Sequence, residues 1–171
     1  MVRIADCSII FLGHHQMSIE KSLVSSGKSL YQEDFYGWLQ ETANLLKEHR
    51  FEKLDLENLI EEIETMGRSE KRELESRLTV IAEHLLKLTY WLTEKETNAQ
   101  GWRSTVVEQR RQVQRLLKES PSLRRLIPEI WIDCYQAARE DTVRKYQLAA
   151  DLFPIESPFT LEEILDYDYL P

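Results

Sequence analysis

The sequence predicts an all-α fold: a helical bundle of four main helices, the second very long, plus a short C-terminal helix. Three observations predict it. Residues 55–92 carry apolar side chains at helical spacing over almost their whole length. The chain has only five Gly and five Pro in 171 residues, while Leu, Glu, Arg and Lys are abundant. No stretch alternates with the period of two that a half-buried strand requires, and no internal repeat is present. A 42% hydrophobic and 30% charged composition suits a globular chain. At this length folding buries roughly 70% of the unfolded surface.

Residues 1–29 read as a flexible N-terminal extension, and residues 30–171 as a single helical-bundle domain. Ser18, Ser22, Ser25, Ser26, Gly27 and Ser29 give the extension a linker-like end, and Met17 is an alternative start. Helix one is expected at 31–49, where Phe35, Trp38, Leu39, Thr42, Leu45 and Leu46 recur at helical spacing, with Asp34 in the first turn. Residues 50–54 connect it to helix two, which Asp55 opens as N-cap with Glu57 in the first turn. Leu56, Leu59, Ile60 and Ile63 form a first apolar stripe; Leu74, Leu78, Ile81, Leu85, Leu88 and Leu92 form a second. The step from Ile63 to Leu74 is about three helical turns, so the stripes are in phase on one helix of about 55 Å, with Gly67 a place to bend. Burial of ten such side chains contributes on the order of 15–30 kcal/mol before chain entropy.

Residues 94–101 read as a loop, with Asn98 and Gly101 as breakers. Helix three follows at 102–119, with Trp102, Val106, Gln109, Val113, Leu116 and Leu117 inward. Ser120 and Pro121 form an N-cap and N1 pair, and Pro128 interrupts or restarts the helix. Helix four therefore divides into a turn at 121–127 and a longer piece at 128–149. Ile127, Ile130, Trp131, Cys134, Ala138 and Leu148 face inward. Residues 153–158 form an extended, proline-bounded strap. Thr160 and Glu163 form a capping box that opens a terminal helix at 161–167. Trp38, Trp91, Trp102 and Trp131 fall one per main helix and read as packing residues.

Several function classes are disfavoured. A net charge of −8 and a pI of 5.1 oppose broad attraction to nucleic acid or anionic membranes. Cys7 and Cys134 offer no disulfide framework, so a cytoplasmic location is expected. The longest apolar run, 7–12, is too short to span a membrane, and Asp6 breaks the signal-like start after Arg3. No HExxH, no Glu-x-x-His pair and no Cys/His cluster supports a metal; neither a phosphate-binding loop nor a nucleophile elbow occurs. No cofactor is implied, and the residues lean against an enzyme.

Two polar groupings stand out. Glu57, Glu61, Glu64 and Arg68 line one flank of helix two, where Glu64 and Arg68 have the favourable order for an ion pair. Glu70 and Lys71 interrupt the apolar seam at positions the phase turns inward, and Arg77 and His84 continue that edge at seven-residue spacing. Buried polar groups must be paired. The candidate polar cluster between helices two and three is Glu61, Glu64, Glu70, Arg77, His84, Glu108 and Arg110. From 103 to 125 seven basic residues face two acidic ones, whereas 151–171 holds six acidic residues and no basic one. The basic segment is expected to meet acidic surface or a partner protein rather than phosphates.

The segment SLYQEDFYGWLQETANLLKEHRFEKLDLENLIEEIETMGRSEKRELESRL, with GWRSTVVEQRRQV, SPSL and PFTLEEILDYDYLP, resembles a bacterial family catalogued as domain of unknown function 29. The likeness covers 29–171, leaving 1–28 outside, and departs around 89–98 and at Pro128. It implies a small, mostly helical, cytoplasmic bacterial protein, common in cyanobacteria, with no established activity or catalytic residue to carry over. An interaction or regulatory module with a protein partner leads; a homo-oligomer stays open. An enzyme or ligand binder built on the polar cluster and a nucleic-acid binder built on helix three are the alternatives.

Overall fold

A computed structural model describes residues 29–171, so the expected extension lies outside the described residues. The chain divides into two compact units, Met1–Leu54 and Asp55–Pro171. In the first, α1 (Leu30–Glu33) and α2 (Phe35–Lys47) are followed by a 3-10 turn, Phe51–Lys53. The single helix expected at 31–49 is thus broken at Asp34. Its carboxylate accepts the Gly37 amide at 2.9 Å, which makes Asp34 the N-cap of α2. A Cβ at Gly37 would stand 2.5 Å from that carboxylate, so the cap and the glycine require each other. Trp38, Thr42 and Leu45 are buried, with Tyr31 and Phe35 ringed about Trp38. Phe35, Leu39 and Leu46, which share the helical spacing of this stripe, are exposed.

The second unit is built on α3 (Leu56–Tyr90), one continuous helix through Gly67. Asp55 caps it, accepting from the Asn58 amide. Only Trp91 separates it from α4 (Leu92–Glu119). The expected loop at 94–101 is therefore helix. Asn98 donates to the Glu94 carbonyl and carboxylate one turn back, and Ala99 and Trp102 pack against the core. That packing exceeds the roughly 1 kcal/mol helix penalty of Gly101. The two helices run antiparallel, with Lys87 beside Trp102, Arg77 beside Gln109 and Glu70 beside Ser120.

A 3-10 segment, Pro121–Leu126, leads into α5 (Ile127–Tyr146), with Pro128 accommodated in its first turn. Gln147, at φ 54°, closes α5 in the left-handed region. The following strap lies along α5, where Tyr135 Oη donates to the Pro154 carbonyl at 2.7 Å and Arg139 Nε to the Phe153 carbonyl at 3.1 Å. The Thr160–Glu163 capping box forms as expected and opens α6, which stops at Leu165. Among the described residues there is no strand, every long element is helical, and in the second unit α3 packs against both α4 and α5.

The core matches the expected seam in its second half: Leu74, Leu78, Ile81, Leu85 and Leu88 meet Val106, Val113 and Leu116 of α4 and Ile130, Trp131 and Cys134 of α5. The first half departs from expectation. Leu56, Ile60, Ile63 and Met66 are 54–67% exposed. The reason is length. α4 ends at Glu119, beside Glu70, so residues 56–69 run about 21 Å past it at 1.5 Å per residue. Leu92 is also exposed, because the seam ends with α3. Lys71, expected inward, is exposed and pairs with Glu75 at 3.6 Å.

Candidate functional site

Sequence reasoning missed the most buried lysine of the described residues. Lys87 stands in the last turn of α3, fully enclosed. Its ammonium donates to the Glu83 carboxylate one turn back and to Tyr146 Oη at 3.0 Å, and lies 5.9 Å from the Trp102 ring centre. These acceptors and ring faces replace the hydration that burial removes. Burial pushes the Glu83 carboxyl up, but the hydrogen bond and charge of Lys87 outweigh it and hold the carboxyl below its usual range. The Lys87 hydrogen bond likewise lowers the Tyr146 phenol. Lys145 adds a second cation 3.7 Å from Glu83. His84, one residue on, is half-buried with Nδ1 at 2.9 Å from the Val80 carbonyl, and burial lowers its pKa. An i−4 Glu before a late-turn Lys was the one available clue to this pair.

Outside this knot lies a groove of about 400 Å³ lined by Trp91, Glu94, Asn98, Trp102 and Tyr146. Trp91 and Trp102 stack with ring centres 5.8 Å apart, and Tyr146 meets Trp91 edge-on at 4.9 Å. The knot thus sits where α3, α4 and the end of α5 converge.

The seven residues of the predicted polar cluster are spread along α3 and α4. Glu61 and Glu64 are exposed on the far half of α3, where Glu64 accepts from Arg68 at 3.3 Å. Glu70 is half-buried and accepts from Ser120 Oγ at 2.8 Å. Arg77 donates to Glu73 at 2.8 Å and to Gln109 at 3.1 Å. Glu108 is exposed and bound by Arg111 and Gln112; the Arg111 hydrogen bond is the main cause that lowers its carboxyl to about 2, and the nearby Arg77 charge adds to it. Arg77 and Glu108 are therefore neighbours, while His84 belongs with Lys87 and Glu83. Glu64, Glu70, Arg77, His84 and Glu108 are each engaged by a helix neighbour or by a partner across the helix pair, whereas Glu61 is simply exposed.

Arg110 has a different task from the one its spacing suggested. Buried to 1% exposure, it turns away from Arg77 and toward the C-terminal segment. Its guanidinium donates to the carbonyls of Ile164 at 3.0 Å, Tyr169 at 2.6 Å and Glu163 at 2.6 Å. Two of these are last-turn carbonyls of α6, which a cation satisfies well. Burial lowers its pKa while Asp166 opposes the change. The basic third helix does meet the acidic tail, though through backbone carbonyls.

The largest uncovered apolar feature of the second unit is the stripe Leu56, Leu59, Ile60, Ile63 and Met66 on the projecting half of α3, with Leu59 half-covered and the others exposed. Among the described residues no group of three His, Cys, Asp or Glu could hold a metal ion, and no helix is long and apolar enough to cross a membrane.

These features define an all-α protein organised on one long antiparallel helix pair, with a buried lysine knot at one end and a projecting amphipathic helix at the other. The chain belongs to the family described as Domain of unknown function DUF29, whose model matches residues 30–170. Neither a curated protein nor a solved structure matches it.

Proposed function

We propose that this protein is a non-catalytic interaction module whose working surface is the projecting half of α3, and whose partner is a protein helix with a complementary apolar stripe. The observation that supports it is the exposure of Leu56, Ile60, Ile63 and Met66 on one side of a helix that outruns its own bundle. Isolated exposed apolar residues are ordinary, but a helical-period row of them is the pattern that helix-in-groove and helix-on-helix recognition uses. Glu57, Glu61 and Glu64 beside the stripe keep it soluble while uncovered and set a charge pattern for the partner. Glu64, Glu70, Arg77, His84, Glu108 and Arg110, by contrast, are spent on intrachain partners.

The test is photocrosslinking in the native host with a photoreactive residue in place of Ile63, and with the same residue at the exposed Arg144 of α5 as control. A discrete protein adduct at 63 and none at 144 is expected. Equal labelling at both sites, or none at 63, would refute the reading.

A further inference from the structure

We propose that the groove beside the Lys87 knot binds a primary alkylammonium ion, held by the Glu94 carboxylate, the Asn98 side-chain carbonyl and the ring face of Trp91. The site lies at the end of α3 away from the apolar stripe, so it stands or falls apart from that surface. The groove is lined by Trp91, Glu94, Asn98, Trp102 and Tyr146. None of the five is a cation and one is an anion, while the three rings present electron-rich faces that attract positive charge. The Asn98 amide is fixed in direction. It stands 3.2 Å from the Glu94 carbonyl and 2.9 Å from the Glu94 carboxylate, both acceptors, so its nitrogen must face them. No described residue donates to Asn98 Oδ1 or to the second Glu94 oxygen. An ammonium with three N–H groups can donate to both; a quaternary ammonium has nothing to donate.

The chain's own cations leave this place open. Lys87 and Lys145 stand 4.5 and 5.2 Å from the Tyr146 ring centre, so that ring is already engaged. Lys87 reaches Trp102 at 5.9 Å, near the outer limit of such a contact. Among the described residues no cation stands over Trp91. Repulsion from the two lysines is small. Lys87 is neutralised by Glu83 in direct contact, and the Lys145 side chain is 62% exposed, where water and salt screen it. The helix ends also offset one another: α3 stops at Tyr90 and α4 starts at Leu92, so a negative dipole end meets a positive one and Glu94 keeps its charge for a guest. A volume of about 400 Å³ admits a small metabolite or one long side chain. Two sources carry this chemistry, a free amine and a lysine side chain of another chain.

The test is proton–nitrogen NMR of the full chain titrated with n-butylamine hydrochloride and read at the indole N–H signals. Those of Trp91 and Trp102 are expected to move on one saturating curve with a Kd on the order of 1–10 mM. That of Trp131, which donates to Ser157 in the first half of α5, should stay still. 1-Butanol, the same chain without charge, should move none of them, and choline should bind more weakly than the amine. Trp91→Leu should weaken binding roughly 3–30-fold and Glu94→Gln, at an exposed site, about 2–5-fold. Glu96→Gln, an exposed acid outside the lining, should leave it unchanged. Nα-acetyl-lysine amide separates the sources: tighter binding than n-butylamine supports a lysine side chain, and weaker binding supports a free amine. Equal shifts with 1-butanol, choline as tight as the amine, a titration that never saturates, or an affinity untouched by Glu94→Gln would each overturn the proposal.

Discussion

Replacing Arg110 by Met should detach the C-terminal segment. The guanidinium makes three hydrogen bonds, at 2.6, 2.6 and 3.0 Å, to carbonyls of residues 163, 164 and 169. Charge-assisted bonds contribute roughly 1.5–3 kcal/mol each, so the gross loss is about 5–9 kcal/mol. Two effects reduce it. The desolvation of Arg110 is no longer required, and the tail carbonyls regain water if the segment lifts. Lifting in turn exposes Ile164 and Phe159, both buried in the core, at a cost of roughly 1.5–3 kcal/mol each. The cheaper route governs, and a net destabilisation of about 3–5 kcal/mol is expected. Urea unfolding gives the free energy, and limited proteolysis gives the place: residues 155–171 should become cleavable while the α3–α4 pair stays resistant. Arg110→Lys keeps the charge but reaches fewer carbonyls, and should fall between the two. A loss below about 1 kcal/mol with an unchanged cleavage pattern would refute the claim that Arg110 fastens the tail.

Other outcomes follow from the same reasoning. Lys87→Met leaves the half-buried Glu83 with the exposed Lys145, 3.7 Å away, as its remaining cation and should destabilise by about 2–4 kcal/mol in thermal unfolding, while Lys87→Met with Glu83→Leu should recover most of that; equal loss in the double variant would contradict a paired charge. His84 has a folded pKa below its ordinary 6.5, so between those values the unfolded chain binds more protons and stability falls as pH drops through that window. Glu83, held below 4.5, contributes stability above that pH that is lost as pH falls further. The slope between pH 7 and 5, read by denaturant titration, should flatten in His84→Gln. Glu70→Leu removes a half-buried carboxylate whose cross-helix hydrogen bond is to Ser120 alone, and Ser120 can turn to water; unfolding midpoints should move by less than what about 1 kcal/mol produces, and a larger loss would mark the residue as a necessary strut.

Much of the architecture was legible because helical phase survives in sequence. The in-phase stripes of α3 established one helix, and Thr160 with Glu163 placed the start of α6, since a capping box is a local device. Local signals failed where tertiary packing decided. Asn98 and Gly101 look like a loop, yet their weak propensities yield to Ala99 and Trp102 packing. Asp34 was legible as an acid near a helix start, but whether it sat before or inside the first turn depended on Gly37. The stripe from Leu56 to Ile63 reads as core by pattern alone; only the point at which α4 ends shows that nothing from the bundle covers it. Arg110 and Lys87 were hidden for a related reason. Charged residues are read as surface, and their carbonyl and ring partners lie 15 to 59 positions away in the chain.

The single-residue junction at Trp91 bears on how this chain tolerates change over evolution. Most helical hairpins have a loop in which insertions and deletions accumulate without consequence. Here helix resumes at Leu92. One residue added between 92 and 101 would rotate everything after it by about 100° relative to α3. Val106, Arg110 and Val113 would swing off the core together, and the knot about Lys87 would lose Trp102. Length variation should therefore be purged from this junction and gather instead in segments such as 147–158, where no helical phase has to be carried across.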